Sequence, residues 1–428
     1  MRPITRNGVA TGVERDRMAA RYAATRAETE ALAAPLSAED QTVQSMADCS
    51  PTKWHRAHTT WFFETFLLAR FAPGYRPFDP AYGYLFNSYY EAEGPRHPRP
   101  ERGLLSRPGI AEIALYRRHV DEAMAGLIAG LEPGPWREAA PLLELGLQHE
   151  QQHQELILMD IKHALSLNPL QPAYRAETPA APRAAPALAW HRVAGGLRQI
   201  GHDGRGFAFD NEMPRHKVWL EPFRLACRLV TCGEYLAFIE AEGYRRPEFW
   251  LSEGWAAVQQ QGWAAPLYWR REAAGWSIFT LGGRRALDPA EPVVHVSFYE
   301  ADAFARWAGK RLPGEAEWEV AAVEAGAALD GNLADSGLLH PAPAPGGGLQ
   351  QMIGDAWEWT ASPYAAYPGF RPAAGAVGEY NGKFMSNQMV LRGGAAVTPA
   401  GHMRRTYRNF FPPASRWAFG GIRLAEDA

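Results

Sequence analysis

The stretch Leu147–Leu156, LQHEQQHQEL, lies within an apolar-periodic run over about 141–167 that has no proline or glycine after Gly146. Such a run predicts an α-helix. Residues four apart share one face of a helix, so His149 and His153 point the same way. Two imidazoles at this spacing can chelate one first-row transition metal. On this pattern alone, a polar helix face that happens to hold two histidines is an equal alternative, and a third ligand would decide between the two.

Amphipathic periodicity predicts that the first part of the chain is helical, after a flexible tail over 1–14. The helices are expected at about 15–32, 51–72, 110–131 and 141–167. Helices joined in this way describe a four-helix bundle, and facing helices of a bundle can build a metal site. A proline- and tyrosine-rich connection over 75–108 shows no helical period.

The helix that begins after Ser50 and Pro51 supplies the candidate third ligand. Ser50 is a predicted N-cap, and Pro51 suits the first turn. His58 shares a face with the aromatic residues of this helix, which by itself favours a core histidine. With a two-histidine face elsewhere in the same bundle, the ligand interpretation is favoured instead. His55 points partly elsewhere and is the weaker candidate.

The bulk composition limits the classes of partner and the compartment. The chain has 428 residues, which suggests two or three domains, and its net charge of −3 does not favour nucleic acid or an anionic membrane. Three cysteines are too few for a disulfide framework. The N-terminus lacks the apolar core of a secretory signal, and no apolar run is long enough to span a membrane. These features predict a cytoplasmic protein.

The texture of the chain changes after the bundle. The bundle is expected over 15–168, a proline- and alanine-rich linker over 169–189, and a second domain over 190–428. This domain has short strands, many glycines and many tryptophans. Helical periodicity is confined to 231–242 and 297–309, with a further short helix expected after Arg311. The pattern predicts an irregular α+β domain.

Four blocks of this second domain carry a resemblance to a known family. They are Arg311–Glu319 (RLPGEAEWE), Gly354–Thr360 (GDAWEWT), Leu391–Gly394 (LRGG) and Gly421–Leu424 (GIRL). They resemble the formylglycine-generating-enzyme (sulfatase-modifying factor) domain, a variant of the C-type lectin fold. The N-terminal part, with His58 and the His149-x-x-x-His153 pair, resembles a DinB-type helical bundle.

In this order the two domains resemble the ergothioneine-biosynthesis sulfoxide synthases. The resemblance implies the α+β class, with a DinB-like four-helix bundle followed by an irregular formylglycine-generating-enzyme-like, C-type-lectin-like domain. It also implies an enzyme that uses non-haem Fe(II) and O2 to join cysteine to C2 of hercynine, N-α-trimethylhistidine, as hercynylcysteine sulfoxide. The iron ligands fall on His58, His149 and His153.

The resemblance also assigns substrate-binding positions. The family's helix glutamine, close to the bound hercynine, falls on Gln152, and its hercynine-binding asparagine falls on Asn409, which Phe410 follows. An active-site tyrosine of the family's second domain falls on Tyr380. Phe410 and Tyr380 are also counted among the substrate-binding positions. The arginines that bind the thiol substrate, in a His-Pro-Arg-x-x-Arg pattern, fall on Arg99 and Arg102.

Two departures bear on the thiol. The branch that takes γ-glutamylcysteine has an acidic residue where this chain has Phe411, which we also count among the substrate-binding positions. That branch has a catalytic tyrosine where Val377 stands here. The Tyr89–Tyr90 pair resembles the branch that takes free cysteine, although the residues alone favour two loop anchors. The resemblance thus implies cysteine as the thiol and Tyr89 or Tyr90 as the catalytic group.

Other functions remain open at this level. Ovothiol-type 5-histidylcysteine sulfoxide synthases are similar but usually continue into a methyltransferase domain, whereas this sequence ends at Ala428. A DinB-type metal-dependent thiol transferase would also use three histidines, and would need no O2. Formylglycine generation is disfavoured, because Cys227 and Cys232 lie far from the C-terminal motifs. A non-catalytic, lectin-like binding module would leave the histidines idle.

Overall fold

The chain divides into two units at the end of the long helix that carries His149 and His153. The first unit extends to Leu167 and the second begins at Asn168. The computed structural model describes residues 6–176, 183–374 and 376–428, with the backbone alone at 6–11 and 376. Residues 1–5 of the predicted tail and residues 177–182 of the predicted linker lie outside the described residues.

The first unit is built from α-helices. They are α1 (Arg6–Ala33), α2 (Thr52–Phe63), α3 (Ala69–Phe71), α4 (Tyr82–Phe86), α5 (Ile110–Gly130) and α6 (Pro133–Leu167). The long helices α1, α2, α5 and α6 pack on one another as a four-helix bundle. Because α1 begins at Arg6, helix extends into the segment for which the sequence predicts a tail.

Helix α2 begins differently from the prediction. Pro51 occupies the N-cap position, and no side chain caps the helix. The Ser50 hydroxyl instead accepts a hydrogen bond from Arg102 at 2.9 Å, and its backbone N–H donates to Asp160 at 2.8 Å. The capping signal is local, and tertiary partners far along the chain have overridden it. At its other end α2 continues through a π-helical turn, Glu64–Leu68, into α3.

A glycine sets the approach of α2 to α6. A Cβ atom at Gly146 would lie only 2.5 Å from the ring of Phe63 and 3.1 Å from that of Phe62, so any larger residue would force the two helices apart. Gly146 lies one helical turn before His149. The close approach therefore brings the histidine face of α6 against the face of α2 that carries His58.

The second unit contains short strands in four small sheets. The strands are β1 (Trp190–Val193), β2 (Gly196–Ile200), β3 (His216–Leu220), β4 (Phe223–Ala226), β5 (Trp269–Glu272), β6 (Gly275–Thr280), β7 (Gly283–Ala286), β8 (Trp357–Pro363), β9 (Met389–Arg392), β10 (Asn409–Phe411), β11 (Gly420–Gly421) and β12 (Ala425–Asp427). The sheet orders are β1-β4-β12, β10-β9-β8-β11, β2-β3 and β5-β6-β7. Neighbouring strands are antiparallel except β8 and β11, which run parallel.

Helices of the second unit include one that the sequence analysis missed. They are α7 (Cys232–Glu240), α8 (Ser252–Gln261), α9 (Phe298–Trp307) and α10 (Glu315–Glu324). The prediction that helical periodicity stops at two segments and one short helix is wrong for α8. Its Gly254 packs directly against Tyr299, where a Cβ would approach to 2.9 Å, so the buried face carries a glycine instead of a large apolar residue. That packing erases the expected pattern.

The core of the second unit combines tryptophans with buried ion pairs. Trp318, Trp357 and Trp359 are at most 1% exposed. Arg423 forms a two-pronged pair with Glu358, at 2.6 and 2.9 Å, and both side chains are inaccessible to solvent. Paired hydrogen bonds of this kind offset the desolvation of both groups and fix their geometry.

Within the described ranges, no helix combines the length and apolar character needed to cross a bilayer.

Candidate functional site

Three histidines converge in the bundle. His58 lies on α2, and His149 and His153 lie one turn apart on α6. Their exposed fractions are 0%, 1% and 8%, and one ring nitrogen from each lies within 4.8 Å of the others. Among the residues that the structure describes, this is the group of histidine, cysteine and acidic side chains arranged to hold a metal ion. The three ligand positions expected from the sequence thus come together in space.

Hydrogen bonding sets which nitrogen His58 presents. Its Nδ1 lies 2.6 Å from the backbone carbonyl oxygen of Phe86, which can only accept, so Nδ1 carries the proton. Nε2 of His58 therefore faces the cluster as a lone pair, 3.1 Å from Nε2 of His149. The connection after α2 supplies this carbonyl, because α4 ends at Phe86.

Burial keeps the three imidazoles neutral. Desolvation lowers the pKa of His149 to about 3, and it lowers the pKa values of His58 and His153 well below the usual range. For His58 and His153 the nearby His149 adds a further lowering. Neutral imidazoles offer lone pairs to a metal, so the cluster is ready to ligate without first losing protons.

The donor set fits a divalent first-row transition metal. Imidazole nitrogen suits iron, zinc, copper and nickel, and the cluster contains neither thiolate nor carboxylate. Three protein ligands leave coordination positions open for substrates, as catalytic sites require and structural sites do not. The donor types do not choose among these metals.

Aromatic side chains surround the cluster. Trp54 stacks on the His58 ring at 4.6 Å between centroids with planes 12° apart, and Trp61 stacks on it at 5.6 Å and 16°. Phe62 packs on His149 at 4.7 Å. These rings hold the imidazoles in place and lower the local polarity, which is also why the pKa values of the histidines fall.

Tyr90 packs against the aromatic side chains that surround the histidine cluster, and Tyr89 packs on Tyr90. Tyr90 is fully buried, with its ring centroid 5.6 Å from that of Trp61 and 5.2 Å from that of Phe66. Since Trp61 also stacks on His58, one aromatic ring separates Tyr90 from the histidine cluster. Tyr89 is half-buried and stacks on Tyr90 at 4.6 Å.

The two candidate arginines differ sharply in their surroundings. Arg102 is 3% exposed, and its guanidinium carbon lies 3.4 Å from the centroid of Trp54. It donates to the hydroxyls of Ser50 and Ser88 at 2.9 and 3.1 Å, and its Nε is buried without a hydrogen-bond partner among the described residues. Burial lowers the pKa of Arg102 well below its ordinary value. Arg99 is exposed and donates to a backbone carbonyl.

Gln152 lies on α6 immediately before His153 and is half-buried. An amide at this position carries a donor and an acceptor on the flank of the histidine cluster.

In the second unit, Phe410 forms the centre of an aromatic stack. Its ring lies 4.0 Å from that of Tyr364, with planes 10° apart, and 5.9 Å from that of Phe384. Asn409 is half-buried in β10, and its side-chain oxygen accepts the backbone N–H of Phe410 at 2.9 Å. Phe411 packs edge-on against a tryptophan at 5.5 Å.

A loop that the sequence analysis did not single out ties Tyr380 to this stack. Tyr380 stacks on Phe209 at 5.3 Å. The two residues after Phe209 continue the link. Asp210 accepts a hydrogen bond from Asn381 at 2.7 Å, and Asn211 donates one to the Tyr364 hydroxyl at 2.9 Å. An acid and an amide among aromatic residues, FDNE at 209–212, was the available signal.

Two further side chains lie behind the histidine cluster. His55, which the sequence analysis ranks as the weaker ligand candidate, contacts His153 through a ring nitrogen at 2.8 Å and Asp160 through the other at 3.0 Å. His55 is thus absent from the ligand group but adjacent to one of its members. Its position three residues before His58 was the only sequence signal.

The chain is similar to known proteins along most of its length. Residues 21–157 match the DinB superfamily, and residues 175–337 and 339–428 match the family described as the sulfatase-modifying factor enzyme 1-like domain. These matches confirm the architecture of a DinB-like helical bundle followed by a formylglycine-generating-enzyme-like α+β domain.

Three curated relatives illustrate the similarity. The chain is 34% identical over 412 residues to the hercynine oxygenase of Mycolicibacterium thermoresistibile, covering 88% of this chain and 87% of the relative. It is 32% identical over 408 residues to the hercynine oxygenase of Mycolicibacterium smegmatis, covering 88% and 91%. It is 32% identical over 314 residues to the formylglycine-generating enzyme of Streptomyces coelicolor, covering 60% and 95%.

Proposed function

Because this chain belongs to the hercynine oxygenase family, we propose that it is an Fe(II)- and O2-dependent sulfoxide synthase of ergothioneine biosynthesis. It would couple cysteine to C2 of hercynine and release hercynylcysteine sulfoxide. The observation that carries the proposal is the cluster of His58, His149 and His153, three buried neutral imidazoles within 4.8 Å of one another.

The reaction balances with O2 as the only oxidant. Hercynine loses hydrogen from C2, cysteine loses hydrogen from sulfur, and the new bond joins that carbon to that sulfur. One oxygen atom becomes the sulfoxide oxygen, and the other leaves as water with the two hydrogens. Bond formation and sulfur oxidation each remove two electrons, which together are the four that O2 accepts.

The histidine cluster would hold the iron. Iron(II) bound there would supply O2 chemistry and open coordination positions for the substrates. Placing the reacting sulfur and ring carbon side by side turns a bimolecular encounter into an effectively intramolecular step. The surrounding wall of Trp54, Trp61 and Phe62 would exclude water from this step.

Arg102 is the best-supported partner for the cysteine carboxylate. Its guanidinium is buried and forms no ion pair with a carboxylate among the described residues. It lies against Trp54, and Trp54 stacks on His58. A carboxylate arriving here would complete the hydrogen bonding of the guanidinium. Phe411, in place of an acidic residue, supports cysteine over γ-glutamylcysteine. Arg99, which is exposed, would act only as a longer-range guide for the substrate carboxylate.

A phenolic hydroxyl would supply the proton that the reduced oxygen requires. Tyr90 is the candidate buried next to Trp61, and Tyr89 stacks on it from the more exposed side. A positioned acid of this kind typically contributes about 10²–10⁴-fold to the rate.

Hercynine carries a quaternary ammonium group that cannot donate a hydrogen bond, so aromatic faces are its natural partners, worth about 0.5–2 kcal/mol each. We assign that role to Phe410 and Tyr380, which belong to the aromatic region around Tyr364 and Phe209. The amides of Gln152 and Asn409 would orient the polar groups of the substrate.

The test is an incubation of the full chain with Fe(II), hercynine and cysteine in air. We expect a product with the mass of the sulfoxide and loss of the C2 proton signal of the imidazole ring. The same mixture without O2 should give no product, and γ-glutamylcysteine should be the poorer thiol. Turnover without O2 would indicate a thiol transferase. Preference for unmethylated histidine, with substitution at another ring carbon, would indicate an ovothiol-type synthase.

A further inference from the structure

A chain of side chains lies behind one of the three metal ligands. Nδ1 of His153 is 2.8 Å from Nδ1 of His55, and Nε2 of His55 is 3.0 Å from Oδ2 of Asp160. Asp160 lies on the same helix as His153, two turns further on, while His55 comes from α2. The exposed fractions of His55 and Asp160 are 2% and 5%, so solvent does not compete for these contacts.

The direction of hydrogen bonding along this chain follows from its far end. Oδ2 of Asp160 also accepts the backbone N–H of Ser50 at 2.8 Å, as a carboxylate oxygen would. His55 must then donate to it from Nε2. In a neutral ring this leaves a lone pair on Nδ1, so Nδ1 of His153 is the donor in the contact between the two imidazoles. The remaining nitrogen of His153, Nε2, has a lone pair for a metal.

We propose that His55 and Asp160 are positioning residues that fix His153 as an Nε2 ligand. The inference rests on the proposed metal centre. A carboxylate that orients a ligating imidazole through its second nitrogen fixes both its tautomer and its ring angle. Here a second imidazole stands between carboxylate and ligand and extends the reach of Asp160.

Two of the three ligands would thus be fixed in different ways. His58 is held by a backbone carbonyl, that of Phe86, which no substitution removes. His153 is held by side chains, so its contact can be deleted without touching the ligand itself. A phenyl ring at position 55 would keep the packing volume against Trp54 and remove both hydrogen bonds.

The test measures metal affinity of the full chain with Co(II) and Zn(II), by anaerobic competition with a chromophoric chelator. We expect His55→Phe to weaken binding by about 10–100-fold, the usual loss when such a partner is removed. His55→Gln should recover part of the affinity, because its amide oxygen can accept from Nδ1 of His153. Asp160→Asn should lose less than His55→Phe, since an amide oxygen still accepts from His55. The Co(II) absorption spectrum should change in His55→Phe.

The matched control is His340→Gln in the second unit. His340 is also a buried histidine hydrogen-bonded to a carboxylate, Glu291, at 3.1 Å, but it lies outside the ligand group. We expect the His340→Gln variant to bind Co(II) with the affinity of the wild type, even if the substitution changes the stability of the protein.

Nitrogen-15 NMR of the Zn(II)-loaded wild type gives a readout that needs no variant to fold. We expect His153 to be protonated at Nδ1 and ligated at Nε2, and His55 to be protonated at Nε2. The opposite tautomer of either ring would overturn the inference, as would wild-type affinity and an unchanged Co(II) spectrum in His55→Phe. Failure of the wild type itself to bind either metal would overturn this inference and the proposed function together.

Discussion

In the second unit, three buried arginines, Arg392, Arg408 and Arg423, each face a carboxylate, whereas in the bundle His58, His149 and His153 face one another. Both arrangements remove polar groups from water. Only the first gives each charged side chain a counter-charge, whereas the three imidazoles turn ring nitrogens toward one another. Burying polar groups costs free energy unless they are compensated, so three nitrogens that face one another need a different explanation from an ion pair whose charges compensate each other.

The bundle also contains a buried carboxylate that is paired with arginines. Glu150, the neighbour of His149 in sequence, is fully buried and pairs with Arg26 at 2.9 Å and Arg117 at 3.1 Å. Adjacent residues of one helix thus belong to two different arrangements. Glu150 belongs to a network of ion pairs, and His149 belongs to the histidine cluster. The contrast supports the proposal that ion pairs stabilise the fold, whereas the histidine cluster and Arg102, which has no counter-charge among the described residues, bind ligands.

The largest effect is expected from deleting a member of the histidine cluster. His149→Ala should abolish retention of iron after anaerobic reconstitution and desalting, because two imidazoles cannot replace three. The unfolding midpoint of the metal-free protein should change little, because the substitution removes one of three imidazoles whose nitrogens crowd one another. Iron content and thermal unfolding measure the two outcomes. Retention of a full complement of iron would refute the ligand assignment.

The next largest effect concerns the tyrosines beside the cluster. Replacing the proton donor with phenylalanine should lower C–S bond formation per O2 consumed by about 10²–10⁴-fold, diverting O2 toward thiol oxidation. Tyr89→Phe and Tyr90→Phe are compared by product ratio and O2 uptake. Tyr116→Phe is the matched control, because its hydroxyl is engaged by Glu64 at 2.7 Å. Unchanged ratios in both test variants would remove the tyrosines from the mechanism.

Breaking a buried ion pair should instead destabilise the fold. Glu358→Gln leaves Arg423 buried without its counter-charge, and removal of one partner of a buried pair costs about 3–5 kcal/mol. Urea unfolding of the metal-free protein measures the loss, while the folded fraction should still bind iron. Glu242→Gln, at an exposed pair with Arg245, should leave the free energy of unfolding unchanged. Equal stability of both variants would contradict the distinction drawn between the units.

Asp355 differs from the carboxylates of the second unit that pair with buried arginines, because the donors of its hydrogen bonds are uncharged. This carboxyl is 5% exposed and accepts from Asn332 and from a backbone N–H, and burial raises its pKa to about 6. A raised pKa means that the native state binds more protons than the unfolded chain between about pH 4 and 6. The wild type should therefore lose stability relative to Asp355→Asn as pH rises through this window, by up to about 3 kcal/mol. Parallel stability–pH curves would contradict this.

The smallest effect is expected at Arg102, the buried arginine that has no counter-charge among the described residues. Arg102→Met should raise KM for cysteine by about 10–100-fold, as loss of a charge-assisted hydrogen bond of about 1.5–3 kcal/mol implies. It should lower stability little, because the guanidinium has no counter-ion among the described residues and its hydrogen bonds go to two hydroxyls. Arg99→Met, at the exposed partner of the same motif, should leave KM within a few-fold of wild type. A destabilised Arg102→Met with normal KM would place Arg102 among the scaffold charges.

Sequence patterning anticipated those features that short-range geometry sets. The four-residue spacing of His149 and His153 places them on one helix face whatever else surrounds them, and the class of each domain followed from its periodicity and motifs. Helix α8 escaped detection because Gly254 meets Tyr299 at a distance that only the fold creates. The Ser50 cap failed because Arg102 and Asp160, both remote in sequence, compete for its polar groups.

The sequence by itself therefore determined the helix that carries two ligands, the bundle that could supply a third, and the family resemblance. Only the tertiary structure decided that His55 stands behind His153 instead of joining the ligands, that Arg102 is buried and Arg99 is not, and that the loop at 209–212 links Tyr380 to Phe410. The physical reason is that hydrogen-bond partners and burial depend on segments far apart along the chain, whereas periodicity depends on neighbours.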